Sequence, residues 1–146
     1  MIVVADTSGL LALFNRSDPE HFAVRRAADS AGTLVTSQLA LTEVHHVASV
    51  RGDRKIADRI VALLADRIEA GRLVLGDVGA DRLRTALRVR AAYEGLNLDL
   101  VDAVSVVLAA EFDTDAILTL DRRDFRVLRP LNRFRAFRLF PDDLDE

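Results

Sequence analysis

Ile2-Val3-Val4-Ala5-Asp6-Thr7-Ser8-Gly9 opens the chain with a short apolar run, cut off by an acid and followed by a polar turn. Four apolar residues, three of them β-branched, read as a buried strand. The following Leu10-Leu11-Ala12-Leu13-Phe14 is too long for the strand to continue without a turn, so a first helix starts there, with Thr7 or Ser8 as its cap. Near the other end, Ala116-Ile117-Leu118-Thr119-Leu120 repeats the pattern and runs into Asp121. If the two strands are parallel neighbours, Asp6 and Asp121 emerge at one sheet edge, where open α/β folds place their sites.

The intervening sequence alternates in the same way. Pro19 suits the first turn of a second helix reaching about Ala31, and Thr33 to Thr36 gives a second strand with Ser37 as a cap. Leu39, Leu41, Val44, Val47, Ala48 and Val50 recur at helical spacing, Gly52-Asp53 interrupts, and another amphipathic helix runs from Arg54 to about Glu69. Leu73 to Leu75 is a brief strand, and Ala80 to Tyr93 is helical. Asp99-Leu100-Val101-Asp102 then begins the most apolar helix, Ala103 to Phe112. After Asp121 come an arginine-rich loop, a last strand at Arg135 to Leu139, and an acidic tail. Strands separated by helices imply parallel pairing through right-handed crossovers. The expected fold class is α/β, as one domain spanning residues 1–146.

The 146 residues carry no cysteine, so a metal here needs oxygen or imidazole ligands. A net charge of -3 argues against coating nucleic acid through one broad positive field, but not against a local basic patch. Lys55 is the only lysine. Arg122, Arg123, Arg126, Arg129, Arg133, Arg135 and Arg138 cluster near Asp121, either as phosphate binders or as a solvated, partner-facing surface. No apolar run reaches the roughly 20 residues of a spanning helix and no basic leader opens the chain, so a cytoplasmic protein is expected.

Asp6, Glu43, Asp102 and Asp121 each sit where an apolar segment meets a helix or a loop. Four carboxylates suit a hard divalent cation such as magnesium or manganese, and without one they repel and take up protons. Each has a plainer role open to it: Asp6 as a helix cap, Glu43 as a surface glutamate, Asp121 as a turn residue. Asp102 lies inside the start of a core helix, where an unpaired carboxylate is costly. Thr7 and Ser8 can orient Asp6, and Thr119 can turn its hydroxyl to the side of Asp121. Asp99 reads as an N-cap and Asp124 as a surface charge or arginine partner. His45 and His46 miss the spacing of a helical metal pair, so solvation or helix packing accounts for them.

In this order the residues resemble the PIN-domain ribonucleases, most closely the VapC toxins of bacterial toxin–antitoxin pairs. Val4-Ala5-Asp6-Thr7-Ser8-Gly9-Leu10-Leu11 looks like the family's first strand and acid, and Ser37-Gln38-Leu39-Ala40-Leu41-Thr42-Glu43-Val44 like its second-acid helix. Asn97 to Ala110 matches the third-acid segment, with its Asp102-Ala103 pair. Leu118-Thr119-Leu120-Asp121-Arg122-Arg123-Asp124-Phe125 is similar to the closing motif. The resemblance implies a three-layer α/β/α sandwich with a mainly parallel sheet. It assigns metal ligation to Asp6, Glu43, Asp102 and Asp121, directly or through water, with Ser8 and Thr119 supporting.

The implied chemistry is Mg2+- or Mn2+-dependent hydrolysis of an RNA phosphodiester, in a tRNA or ribosomal RNA loop. The implied partners are a cognate antitoxin, laid across an apolar groove that Leu10, Leu11, Leu13 and Phe14 can line, and a second copy of the chain in a homodimer. The plainer role for those four residues is core. Two rivals stay open: a non-catalytic PIN-like binding module, and an aspartate-based phosphoryl-transfer domain, which needs a lysine near its pocket.

Overall fold

A computed structural model describes residues 1–145 and shows a five-stranded sheet between two layers of helix. The strands are β1 (Ile2–Ala5), β2 (Thr33–Thr36), β3 (Leu73–Leu75), β4 (Ala116–Leu118) and β5 (Arg138–Phe140). They lie in the order β3-β2-β1-β4-β5, and every pairing is parallel. The sheet is therefore wholly parallel. With β1 central, the chain first winds outward through β2 and β3 and then returns to its other side for β4 and β5. The crevice at that reversal, between β1 and β4, is where a doubly wound sheet opens a site.

Alternation along the strands assigns the two faces. Val3 and Ala5 join one core cluster with side chains from α1 (Thr7–Phe14), α2 (His21–Ser30), α3 (Gln38–Arg51) and α4 (Arg54–Glu69). Val4, Val35, Ile117 and Leu139 join a second with α5 (Ala80–Ala92), α6 (Leu100–Glu111) and α7 (Arg122–Val127). Every residue of α6 from Val101 to Ala109 is buried, Asp102 and Ser105 included, in keeping with its unbroken apolar character.

The caps decide where several elements start. Ser37 accepts from the Ala40 amide at 3.1 Å and Asp53 from the Ile56 amide at 2.8 Å, opening α3 and α4. Asp99 accepts from the Asp102 amide at 2.8 Å, so α6 begins at Leu100. For α1 the expectation of a Thr7 or Ser8 cap fails: the capping position is Asp6, which makes no side-chain cap bond because its carboxylate is engaged elsewhere. Gly9 is required by proximity. A Cβ there would stand 2.3 Å from the Leu118 carbonyl oxygen, so only glycine lets α1 lie against the end of β4.

Two expectations near the C-terminus are corrected. The arginine-rich stretch after Asp121 is a short helix, α7, whose Phe125 is buried against Phe137. The last strand is Arg138–Phe140 rather than Arg135 to Leu139, because Leu139 and Phe140 are the residues that pair with β4 and enter the core. Among the described residues no helix is long and apolar enough to cross a membrane.

Candidate active site

Strand ends and helix starts deliver the acids to one cavity. Asp6 follows β1, Asp121 lies just beyond β4, Asp102 is in the first turn of α6, and Glu43 is on α3. All four line a cavity of about 240 Å3, which Asp18 and Asp99 also border. Among the described residues Arg51 is its only basic lining residue. Glu43, Val47 and Arg51 occupy successive turns at i, i+4 and i+8, so one stripe of α3 forms a wall.

Asp6 is held by a network reaching across the chain. Thr119 Oγ1 donates to Asp6 Oδ2 at 2.9 Å and accepts from the Asp121 amide at 2.9 Å. Its single proton is thereby committed, so in the 3.1 Å contact between the two hydroxyls Ser8 is the donor. Ser8 Oγ in turn accepts from the Leu120 amide at 2.9 Å. The network fixes Asp6 and the backbone entering Asp121 together. Asp6 Oδ1, by contrast, is buried and has no hydrogen-bond partner among the described residues.

The electrostatics are those of crowded acids. Burial, partly offset by the Thr119 hydroxyl and the Thr7 amide, pushes the Asp6 carboxyl up to about 6. Burial and then repulsion from Asp6, Asp99 and Asp121 push Asp102 up to about 9. Asp121 is raised as well, by burial and by Asp124. Oxygens of Asp102, Asp121 and Asp124 come within 4.8 Å of one another, close enough to share a cation. A hard donor set, a bare buried oxygen and carboxyls that resist ionisation together fit a divalent cation.

The position of Asp124 departs from the expected surface role. Asp121 stands at the N-cap position of α7 and Asp124 lies in its first turn, which brings their carboxylates together. Asp99 does cap α6, as expected, and also borders the cavity. Asp18 and Arg51 were not singled out in the sequence; for Arg51 the spacing from Glu43 along α3 was the available signal. His45 pairs with Asp58 at 2.8 Å, outside the cavity. Lys55 is exposed on α4 and does not line the cavity, so the lysine that phosphoryl transfer to an aspartate would need is lacking.

Much of the arginine cluster is engaged internally. Arg122 is bound by Glu20 and Asp142, Arg126 by Asp143 at 2.6 Å, Arg133 by Asp113 at 3.4 Å and Arg138 by Asp115 at 2.8 Å. The first two tie α7 to the start of α2 and to the C-terminal turn, and the last two tie the final loop and β5 to the residues just before β4. A large phosphate-binding patch is not what the cluster builds.

The chain belongs to the PIN domain family, whose pattern matches residues 3–129. It is 36% identical over 130 residues to Ribonuclease VapC26 of Mycobacterium tuberculosis, covering 88% of this chain and 93% of that one. Its fold is similar to that of VapC20 from Mycobacterium tuberculosis, a sarcin-ricin loop cleaving toxin, with a TM-score of 0.73 at 22% identity over 84% of this chain and 92% of the other. It is also similar to VapBC2 from Rickettsia felis, solved bound to a DNA fragment from its promoter. There the TM-score is 0.67 at 15% identity, over 96% of this chain and 99% of that one.

Proposed function

We propose that this chain is an endoribonuclease toxin, dependent on Mg2+ or Mn2+ and held inactive by a cognate antitoxin. The observation that carries the reading is the buried, unpartnered Oδ1 of Asp6, set among acids whose ionisation burial and mutual repulsion oppose. Identity to a protein named as a ribonuclease over nearly the whole chain supports it. Asp6, Asp102 and Asp121 would hold the cation, with Glu43 joining directly or through water. A bound cation supplies charge for the phosphate oxygens and lowers the pKa of a coordinated water.

The chain's own residues do the positioning. Thr119 donates to Oδ2 of Asp6 and is itself held by Ser8, and Oδ1 is left as a ligand atom, so the carboxylate cannot turn away from the cavity without breaking the Thr119 bond. Arg51, the basic lining residue among those described, can donate to a substrate phosphate through its planar fork. A single-stranded or looped RNA is the substrate class, since splayed bases are readable where a duplex groove is not. A homodimer is proposed with it, as symmetric pairs are the common assembly.

Manganese titration calorimetry tests the cation, and Asp6→Asn and Asp102→Asn test the site. We expect millimolar or tighter binding in the native chain, and loss of RNA cleavage in both variants with unchanged far-ultraviolet circular dichroism. Cleavage at the native rate in both would remove these acids from the reaction.

A further inference from the structure

A second cavity lies at the far end of α1, and its walls are cationic. Arg16, Arg25, Arg59 and Arg67 border about 620 Å3 above a floor of Leu13, Phe14 and Leu63, and among the described residues no carboxylate lines it. Arg25 reaches Asp29 only at 3.9 Å, and Asp29 is shared with Arg72 at 3.7 Å. Among the described residues no ion pair engages Arg16, Arg59 or Arg67. His21, which is 3% exposed, also lines the cavity. Thr7 and Ser8 line the acidic cavity, Leu13 and Phe14 this one. α1 has eight residues, so about 12 Å of helix separates the two.

Guanidinium groups gathered without counter-charge repel one another until an anion enters. Burial, then repulsion from Arg72 and Arg25 against the pull of Asp29, already lowers the Arg67 guanidinium from its ordinary value. A fitting ligand brings several charges into one cavity. A nucleic-acid backbone brings one per phosphate and spreads them along the strand, whereas a triphosphate concentrates about three to four, up to about two of them on its terminal group. His21 narrows the class further. Its Nδ1 donates to the Ala12 carbonyl at 2.8 Å, and its buried Nε2 has no partner among the described residues. In the neutral ring Nε2 asks for a donor, in the charged ring for an acceptor. A terminal phosphate, whose second pKa is about 6, supplies either. An ionised carboxylate or a phosphodiester can only accept.

We propose that the Arg16, Arg25, Arg59 and Arg67 cavity is a binding site for a compact oligophosphate, the tail of a nucleotide or an inorganic chain, whose terminal phosphate meets His21. Arg59, Leu63 and Arg67 stand at i, i+4 and i+8 on α4, so one stripe of that helix supplies two of the four guanidinium groups. Arg25 on α2 and Arg16 in the turn before it supply the others. Planar forks on separate elements can each take a different phosphate, and Leu13, Phe14 and Leu63 leave an apolar floor for a nucleoside. The site uses none of the acids and so stands independently of the nuclease reading.

The test is calorimetric titration of the native chain with inorganic triphosphate, adenosine triphosphate, inorganic phosphate, a 5′-hydroxyl RNA oligonucleotide and an oligoglutamate peptide. All are measured in chelator, where the bare acids of the first cavity repel every probe. We expect one triphosphate per chain, bound at least about tenfold more tightly than phosphate, RNA or peptide. Tighter binding of adenosine triphosphate than of inorganic triphosphate assigns the nucleotide, and equal binding assigns the inorganic chain; both support the site. Arg25→Glu with Arg59→Glu, both exposed positions, should weaken triphosphate binding at least about tenfold with unchanged far-ultraviolet circular dichroism. Should the double variant fold poorly, Arg59→Gln alone should still weaken it about threefold. The titration needs no cleavage, so its failure and that of the nuclease reading are separable. Absent triphosphate binding, unchanged affinity in folded variants, or tighter binding of RNA or peptide would each overturn the proposal, the last two in favour of a strand subsite or a carboxylate ligand.

Discussion

Asp6 and Asp102 carry opposite demands, since the site they build needs charge and the fold around them resists it. Both carboxyls titrate above the ordinary 3.8 in the folded chain, at about 6 and about 9. The folded form therefore keeps protons that the unfolded form releases. The stability this contributes is complete below about pH 4 and is lost as pH rises through the two folded values. In chelator, Asp102→Asn should thus melt above the native chain at alkaline pH, by more than about 3 °C for each 1 kcal/mol recovered. The two should converge in acid, and a difference independent of pH would show that ionisation is not the cause. At this scale the sequence was informative where a side chain ended an apolar segment, as at Asp6, Asp102 and Asp121. It was silent on Asp124, whose approach to Asp102 depends on a six-residue helix that no periodicity of that length can announce.

At the scale of elements, caps and one glycine set the geometry. Asp99 starts α6 and so places Asp102, while standing on the cavity rim itself. Serine can cap without bearing charge. Asp99→Ala should lose about 1 kcal/mol in denaturant unfolding and Asp99→Ser almost none. If cleavage is retained in Asp99→Ser and reduced in Asp99→Ala, capping is the role; equal loss in both would give Asp99 a charge-dependent one. Gly9→Ala forces α1 away from Leu118 and should cost about 1–3 kcal/mol, read as a lower denaturant midpoint. Helices with a clear apolar stripe, such as α4, were legible to the residue from spacing and Asp53. For α1 the sequence offered Thr7, Ser8 and Asp6 as caps; Asp6 holds the position without a cap bond because its side chain is claimed by Thr119, 113 positions away, and local sequence carries no sign of so distant a partner.

Across the whole molecule, four arginines of the C-terminal cluster are engaged internally. Arg122 and Arg126 hold α7, and Arg133 and Arg138 hold the last loop and β5, which composition alone could not distinguish from a phosphate-binding surface. RNA engagement should therefore depend on few contacts. We expect log KM for cleavage to change with log salt by about 2 or less, as for up to about three phosphate contacts, where six to ten contacts on a basic coat would give about 4 to 7. A steep dependence would mean that the internal ion pairs open to receive RNA. The alternation of strands and helices made the parallel three-layer fold readable from the start. The strand order was not readable: the neighbouring of β1 and β4 stood in the sequence only as the condition under which Asp6 and Asp121 emerge at one edge.

That neighbouring of β1 and β4 also sets a clock. Ser8 and Thr119, which touch in the finished site, are 111 positions apart, and a ribosome adding about 5–20 residues per second needs roughly six to twenty seconds to make the second after the first. Throughout that interval Asp6 stands without Thr119, which holds its Oδ2, and without Asp121. A nuclease of the kind proposed thus lacks a complete site until almost all of its sequence has been made.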